Sequence, residues 1–295
     1  MSPLAAKIAA ARGIEVSGVE GTGIYGKIMK CDILGAAAGS AAQAGTAAGT
    51  SGASIAASAA HGGKVIREIR PYTGVRKIIG ERLAHSKFTA PHLYFTQKVD
   101  MEEIIALRKN VNASAGTKTS VTDYIAKAVA LALQKHPDLN ASLIDGHIEF
   151  YESVNLGIAV AAPSGLIVPV IKNAESKSLL QISEASAHCV EKARNGKLTP
   201  DEYSGGTFTV SNLGMFGIEN FTAILNEPES GILAVSATKD EPVAVTDASG
   251  VKQVAIKPMM NITLTVDHRL IDGLLAAQFV TEVKRILENP LEILL

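Results

Sequence analysis

The stretch Met260-Asn-Ile-Thr-Leu-Thr-Val-Asp-His-Arg-Leu-Ile-Asp-Gly273 decides the architecture. Its first half, through Asp267, is rich in β-branched residues and reads as a strand. From Asp272 to Leu287 the apolar residues recur at helical spacing. A strand that feeds directly into a helix is the repeating unit of α/β domains. His268 falls at the junction, with Asp272 four residues on and Gly273 directly after. Histidine is the side chain whose ordinary proton affinity lies near neutral pH. It is therefore the default general base for activating a thiol or a hydroxyl. A lone histidine with a nearby aspartate is common, so the rest of the chain has to decide whether this one does chemistry.

Toward the N-terminus the pattern keeps alternating. Arg76–Lys87, Met101–Val111, Val121–Gln134 and Leu179–Asn195 carry helical periodicity. His92–Val99, Thr207–Leu213, Gly231–Ala237 and Met259–Val266 read as strands. Val154–Ala162 and Leu166–Ile171 are apolar β-like runs joined by Pro163-Ser-Gly165, a hairpin signal. Residues 66–295 are thus expected to form one α/β domain with a mostly buried sheet.

Composition narrows the function classes. Lys and Arg number 28 against 29 Asp and Glu, a formal net charge of −1, which excludes nucleic-acid or anionic-membrane binding through bulk charge. The longest apolar run, Gly157–Ile171, is broken by Pro163, Ser164, Gly165 and Pro169, so it does not read as a membrane span. No secretory signal is visible. The two cysteines, Cys31 and Cys189, are far apart and suggest neither a disulfide framework nor a zinc site. A reducing compartment is the simpler inference. Cys189, on an expected helix, reads as a small buried apolar residue, with a thiol nucleophile as the lesser alternative. His92, His136 and His188 show no metal-ligand spacing with other candidate ligands, and no metal is expected.

Residues 1–36 look like a separate miniature. Ser2 can cap a helix whose first residue is Pro3, and Gly13 would end it. A glycine-punctuated loop and a second helix near Lys30 follow. So few residues bury little core, which suits docking better than chemistry. Residues 37–65 are nearly all Ala, Gly, Ser and Thr and contain no acid. They cannot bury enough surface to offset ordering entropy and read as a flexible linker.

Several blocks, taken in order, carry a resemblance. They are Ser2-Pro-Leu-Ala-Ala-Lys7 with Gly21-Thr-Gly23 and Gly26-Lys-Ile28, then Arg76-Lys77, Arg82 and Ser86-Lys-Phe-Thr-Ala-Pro-His92. Gly157-Ile-Ala-Val160, Pro163-Ser-Gly-Leu-Ile-Val-Pro169, Gly206-Thr-Phe-Thr-Val-Ser-Asn-Leu-Gly214 and the His268 block complete the set. Together they resemble the dihydrolipoamide acyltransferases of 2-oxo acid dehydrogenase complexes, over nearly the whole chain. Gly214-Met-Phe-Gly217 with Asn220-Phe221 resembles the acetyl-handling members, the pyruvate dehydrogenase type.

The resemblance implies a chloramphenicol-acetyltransferase-like α/β catalytic domain, a homotrimer with active sites between neighbours, and assembly of trimers into a larger core. It implies acyl transfer between dihydrolipoamide and coenzyme A, both as substrates, in the cytoplasm of a bacterium or a mitochondrial matrix. His268 is then the general base. Ser211 donates to the oxyanion; the alternative is a strand-end serine bonded to local backbone. Asp272 pairs with Arg76 to hold the histidine loop; the alternatives are a carboxylate favoured by the helix dipole and a solvated Arg76. Gly273 lets the backbone pass close to a neighbour.

Residues 1–36 are similar to the peripheral subunit-binding domain, with Lys7, Arg12, Lys27 and Lys30 as its basic set. The implied partners are dihydrolipoamide dehydrogenase or the 2-oxo acid decarboxylase. Two departures matter. No lipoyl domain or lipoylation turn is visible, so the lipoyl group is expected on a domain or chain absent here. Ala6 stands where the binding domain usually has arginine, and a lysine lacks the bidentate fork. Competing readings are a non-catalytic scaffold subunit, an acyltransferase for a free small molecule, and the same chemistry in an acetoin, 2-oxoglutarate or branched-chain complex.

Overall fold

In the computed structural model, residues 1–12, 16, 19, 21–23, 27–39, 66–116, 118–162, 165–247 and 249–294 are described. They divide into two compact units, Met1–Ile69 and Arg70–Leu295.

In the first unit, α1 (Pro3–Arg12) and α2 (Lys30–Gly39) pack through buried Ala5, Ala9 and Ile33. The Ala5 amide donates to the Ser2 hydroxyl at 3.2 Å, the cap expected of Ser2. Asp32 ties the loop to the second helix. Its carboxylate accepts from the Thr22 and Met29 amides and the Thr22 hydroxyl, which holds it down to about pKa 2. Helix α2 runs to Gly39, past the expected domain end at residue 36, because Ala36–Ala38 favour helix. Gly13 and the linker residues 40–65 lie outside the described residues.

The second unit is built on a mixed sheet. Its strands are β1 (His92–Asp100), β4 (Leu156–Ala162), β5 (Gly165–Ile167), β6 (Val170–Ile171), β7 (Phe208–Asn212), β8 (Gly231–Thr246) and β9 (Lys252–Asp267). The order is β1-β9-β8-β7-β4-β5, with β6 beside β4. Strand β7 is parallel to both β4 and β8, whereas β8–β9 and β9–β1 are antiparallel. Period-two alternation sends Ile262, Leu264 and Val266 into the core. On that face lie α5 (Val121–Lys135), α6 (Leu179–Arg194) and α7 (Gly273–Glu288), with Phe208 and Phe279 at 5.5 Å between ring centres. The opposite face carries hydroxyls: Thr96 and Thr263 are 2.9 Å apart, and Thr263 donates to Asn220 at 2.8 Å.

Helix α3 (Gly74–Thr89) leads into β1, and α4 (Glu102–Ala115) follows it. Two expectations change and one element is added. The single strand Leu166–Ile171 is divided into β5 and β6 at Pro169, which has no N–H to offer a ladder. A small hairpin, β2 (Ala141–Ile144) with β3 (His147–Phe150), turns on Asp145-Gly146, both at positive φ. Strands β8 and β9 continue beyond Ala237 and before Met259 as a paired ribbon out to Thr246 and Lys252.

Candidate active site

Strand β9 ends at Asp267, whose carbonyl accepts from the Leu270 and Ile271 amides at 3.0 and 2.9 Å. That closes a tight turn around His268. The His268 amide donates to the Pro91 carbonyl at 2.9 Å, which fixes the turn against the start of β1. The imidazole Nδ1 lies 3.0 Å from the Ile271 carbonyl oxygen. A carbonyl can only accept, so Nδ1 carries the hydrogen of the neutral ring and Nε2 keeps its lone pair. The ring is exposed in the single chain, so Nε2 is open to an incoming group.

The residues on either side of the histidine brace it. Arg269 Nε lies 3.0 Å from both Asp267 carboxylate oxygens, and Nη2 lies 2.6 Å from Oδ2. This bidentate pair has the geometry of the stronger ion pairs, and Asp267 is buried. The Asp267 amide in turn donates to the Ser230 carbonyl at 3.0 Å. Neighbouring β1 carries His92, whose Nδ1 donates to the Ala90 carbonyl at 2.7 Å while Nε2 accepts from the Leu225 amide at 3.3 Å. Both nitrogens of His92 are occupied by backbone, so it packs and fixes a loop.

Asp272 is the residue before the first turn of α7, exposed, with no side-chain capping bond. Its carboxylate sits at the positive end of that helix. The expected partner, Arg76, lies exposed in the first turn of α3. Among the described residues of the single chain the two do not form an ion pair. The arginine-carboxylate clamp on the turn is Asp267–Arg269 instead, formed locally because residues two apart at a strand end share a side. Within one chain, a methyl added at Gly273 would meet only Phe95, at an ordinary 3.8 Å.

Ser211 lies on β7 between Ala159 of β4 and Ala234 of β8. It shares the hydroxyl-bearing face with Thr209. Among the described residues its side chain has no hydrogen-bond partner, so the hydroxyl is free to donate. Next to it, the Asn212 amide group donates to Thr122 Oγ1 at 2.9 Å, and Asn212 Oδ1 accepts from the Gly214 amide at 2.8 Å. Gly214 is required there: a Cβ would come within 2.7 Å of the Ser236 carbonyl oxygen.

The register separates the two residues. Ser211 is level with Ala234, and Ala234 with Thr263, whereas His268 lies five residues further along and beyond the strand end. Two strand spacings and five residues of rise put the two roughly 20 Å apart. One chain therefore does not bring His268 and Ser211 together.

Other candidates fall into place. Cys189 is buried on α6, and burial pushes its thiol above the usual value, the opposite of an activated nucleophile. His136 packs edge-on against Phe279. Among the described residues no group of acids, histidines and cysteines could hold a metal, and no helix is long and apolar enough to cross a membrane. Lys7, Lys27 and Lys30 are exposed on the first unit, while the Arg12 side chain lies outside the described residues.

Sequence reasoning missed Glu229. It is buried beside β7, where its carboxylate accepts from the Thr209 hydroxyl at 2.5 Å and the Asn226 amide group at 2.8 Å. Burial outweighs those donors and raises its pKa from 4.5 to about 7.

The comparisons agree with this geometry. Residues 66–295 match the 2-oxoacid dehydrogenases acyltransferase (catalytic domain) family, and residues 1–34 match the e3 binding domain. The dihydrolipoyllysine-residue acetyltransferase component of the mitochondrial pyruvate dehydrogenase complex of Schizosaccharomyces pombe is 45% identical across 100% of this chain. This chain spans 61% of that protein's length. A solved Azotobacter vinelandii dihydrolipoamide acetyltransferase superposes with a TM-score of 0.71 at 37% identity, over 77% of this chain and 94% of that one. That work concerned a serine, a histidine and an asparagine in the catalytic mechanism. The cubic core of a pyruvate dehydrogenase multienzyme complex gives the same TM-score, 0.71, at 37% identity and the same coverage, 77% and 94%. With the sheet, the histidine turn and the match over residues 66–295 in agreement, the chain belongs to the 2-oxoacid dehydrogenase acyltransferase family.

Proposed function

We propose that the chain transfers an acetyl group between dihydrolipoamide and coenzyme A, at a site shared by two copies of the chain. The observation that carries this reading is the His268 ring, with Nδ1 held by the Ile271 carbonyl and Nε2 open. A thiol is only a few per cent ionised at neutral pH. Nε2 takes the S–H proton, the thiolate attacks the thioester carbonyl, and the tetrahedral oxyanion forms. Ser211 of a second copy donates its free hydroxyl to that oxygen. Collapse expels the other sulfur, which recovers the proton from His268. Asp272 favours the helix end, and the Asp267–Arg269 pair holds the turn. Arg76 and Gly273 have no such role within one chain; as parts of the site they remain a proposal for the interface.

Assembly supports the same reading. The roughly 20 Å between His268 and Ser211 is too far for one tetrahedral centre, so the second copy completes the site. The cubic core of a pyruvate dehydrogenase complex has this fold, and trimers within such a core are the proposed arrangement. Exposed Leu291 and Leu294 at the C-terminal end fit contacts between trimers. The first unit, by its match to the e3 binding domain, would dock dihydrolipoamide dehydrogenase through Lys7, Lys27, Lys30 and Arg12. Residues 37–65 would serve as the tether, and the lipoyl group would arrive on another domain or chain.

The test is complementation. His268→Ala and Ser211→Ala chains, each deficient alone, are co-assembled and assayed with free dihydrolipoamide and acetyl, succinyl and branched-chain acyl-coenzyme A donors. Activity restored in the mixture, with acetyl preferred, is expected. A mixture no better than its parents overturns the shared site, and preference for another acyl group overturns the acetyl assignment.

A further inference from the structure

The loop before β8 carries Glu227, a residue that the proposed mechanism does not use. Its carboxylate faces two ways. One oxygen, Oε2, lies 2.8 Å from His85 Nδ1 on α3, and Oε1 accepts from the Thr89 hydroxyl at 3.2 Å. The same Oε1 is 3.5 Å from Arg269 Nη2. Its main-chain carbonyl accepts from Arg82, also on α3. Two supports of the His268 turn therefore converge on this side chain. Arg269 is the partner of Asp267 in the clamp beside the histidine. The last turn of α3 runs through Ala90 into Pro91, whose carbonyl holds the His268 amide. The Glu227 side chain is only 20% exposed, so its charge is less screened than that of a surface carboxylate.

We propose that Glu227 is a positioning residue for His268. It ties the end of α3 to Arg269 and offsets the guanidinium charge next to the catalytic ring. The proposal rests on His268 being the base. The charged and titratable groups that face this cluster are Asp267 and Arg269 on the turn, Arg82 and His85 on α3, Glu227 itself, and the buried Glu229, which feels the charge of Arg82. Without the glutamate, Arg269 is less compensated and the turn loses its link to α3. A proton on His268 is then less favoured, and the ring is less well aimed.

The experiment compares wild-type, Glu227→Ala, Glu227→Gln and His268→Ala assemblies in acetyl transfer across pH. Misplacement of a reacting group by about 1 Å can cost up to a hundredfold. Glu227→Ala is expected to lower kcat by roughly tenfold to a hundredfold with KM for both substrates nearly unchanged. The acid limb of its rate profile is expected to move to lower pH. Glu227→Gln keeps the length and the reach to Thr89 but not the charge, so its acid limb moves the same way with a smaller loss of kcat. Glu227→Gln with wild-type kcat and an unmoved acid limb overturns the proposal, even where Glu227→Ala fails to assemble. Loss of kcat with an unmoved limb in both variants reduces Glu227 to a structural residue and overturns it too. Full turnover in His268→Ala removes the underlying reading; an inactive His268→Ala beside a normal Glu227→Gln removes only the role of Glu227.

Discussion

The His268 turn and the Ser211 position are built differently, the first beside the start of β8 and the second level with Ala234, three residues along it. At the turn, Asp267 and Arg269 lock together beside His268, and the ring is tied to a carbonyl. At the level of Ser211 the backbone is held by two ladders and by Asn212, but among the described residues the hydroxyl itself has no partner. A general base needs a fixed tautomer and aim, so its surroundings spend their hydrogen bonds on the ring and its turn. An oxyanion donor needs the reverse: a rigid main chain and an unspent O–H. Neither end is complete alone, and a second copy would bring one to the other.

The largest effects should come from the two side chains themselves. His268→Ala removes the proposed base and should lower turnover by about a hundredfold to ten-thousandfold. Ser211→Ala removes the proposed oxyanion donor and should cost about a hundredfold to a thousandfold, or about 3–4 kcal/mol. Both variants should keep their far-ultraviolet dichroism and assembly size, because neither side chain packs the core. Near-normal turnover in His268→Ala breaks the comparison at its strongest point. An unaltered rate constant in Ser211→Ala would make that end plain scaffold.

An intermediate effect separates the ends by pH. Glu229 lies between them, buried against Thr209, with its pKa raised from 4.5 to about 7. In that window the folded chain binds a proton that the unfolded chain has released. Stability therefore falls as pH rises from about 4.5 to about 7, and the contribution is fully present only below 4.5. The difference is worth about 3 kcal/mol at neutral pH. The carboxylates lowered to about 2, such as Glu202 and Glu282, act in a lower window and do not mask it. Denaturant midpoints followed from pH 4.5 to 7.5 should decline in wild type and flatten in Glu229→Gln. An equal decline in both would place the titration elsewhere.

Much of this was readable from the chain. The β-branched alternation of Ile262–Val266 and the helical spacing after Asp272 state the strand, the turn and the helix. Asp145-Gly146 is a hairpin turn signal as well, set between two four-residue strands too short to stand out by alternation. What could not be read is register. Nothing local says that Ser211 is level with Thr263 and not with Asp267, so the separation of Ser211 from His268 is a property of the ladder. Burial is equally silent in sequence. Glu229 sits in Asn226-Glu-Pro-Glu-Ser230, which reads as an exposed turn, yet the structure buries it. Asp267 and Arg269, two residues apart around the histidine itself, form a local clamp that sequence spacing permits but does not announce.

The smallest expected effect tests whether the Ser211 end is as rigid as the histidine end. Asn212 Nδ2 donates to Thr122 Oγ1 across to helix α5, which anchors the strand just after Ser211. Thr122→Val keeps the shape and removes the acceptor. A half-buried hydrogen bond of this kind contributes about 1 kcal/mol net, so the unfolding free energy should fall by about that amount and the denaturant midpoint should drop at unchanged m. Turnover should change less than about threefold, because the β4 and β8 ladders still place Ser211. A rate loss approaching that of Ser211→Ala, at unchanged stability, would mean that the serine end depends on its side-chain anchor as the histidine end depends on Asp267 and Arg269. The contrast between a braced base and a ladder-held donor would then fail.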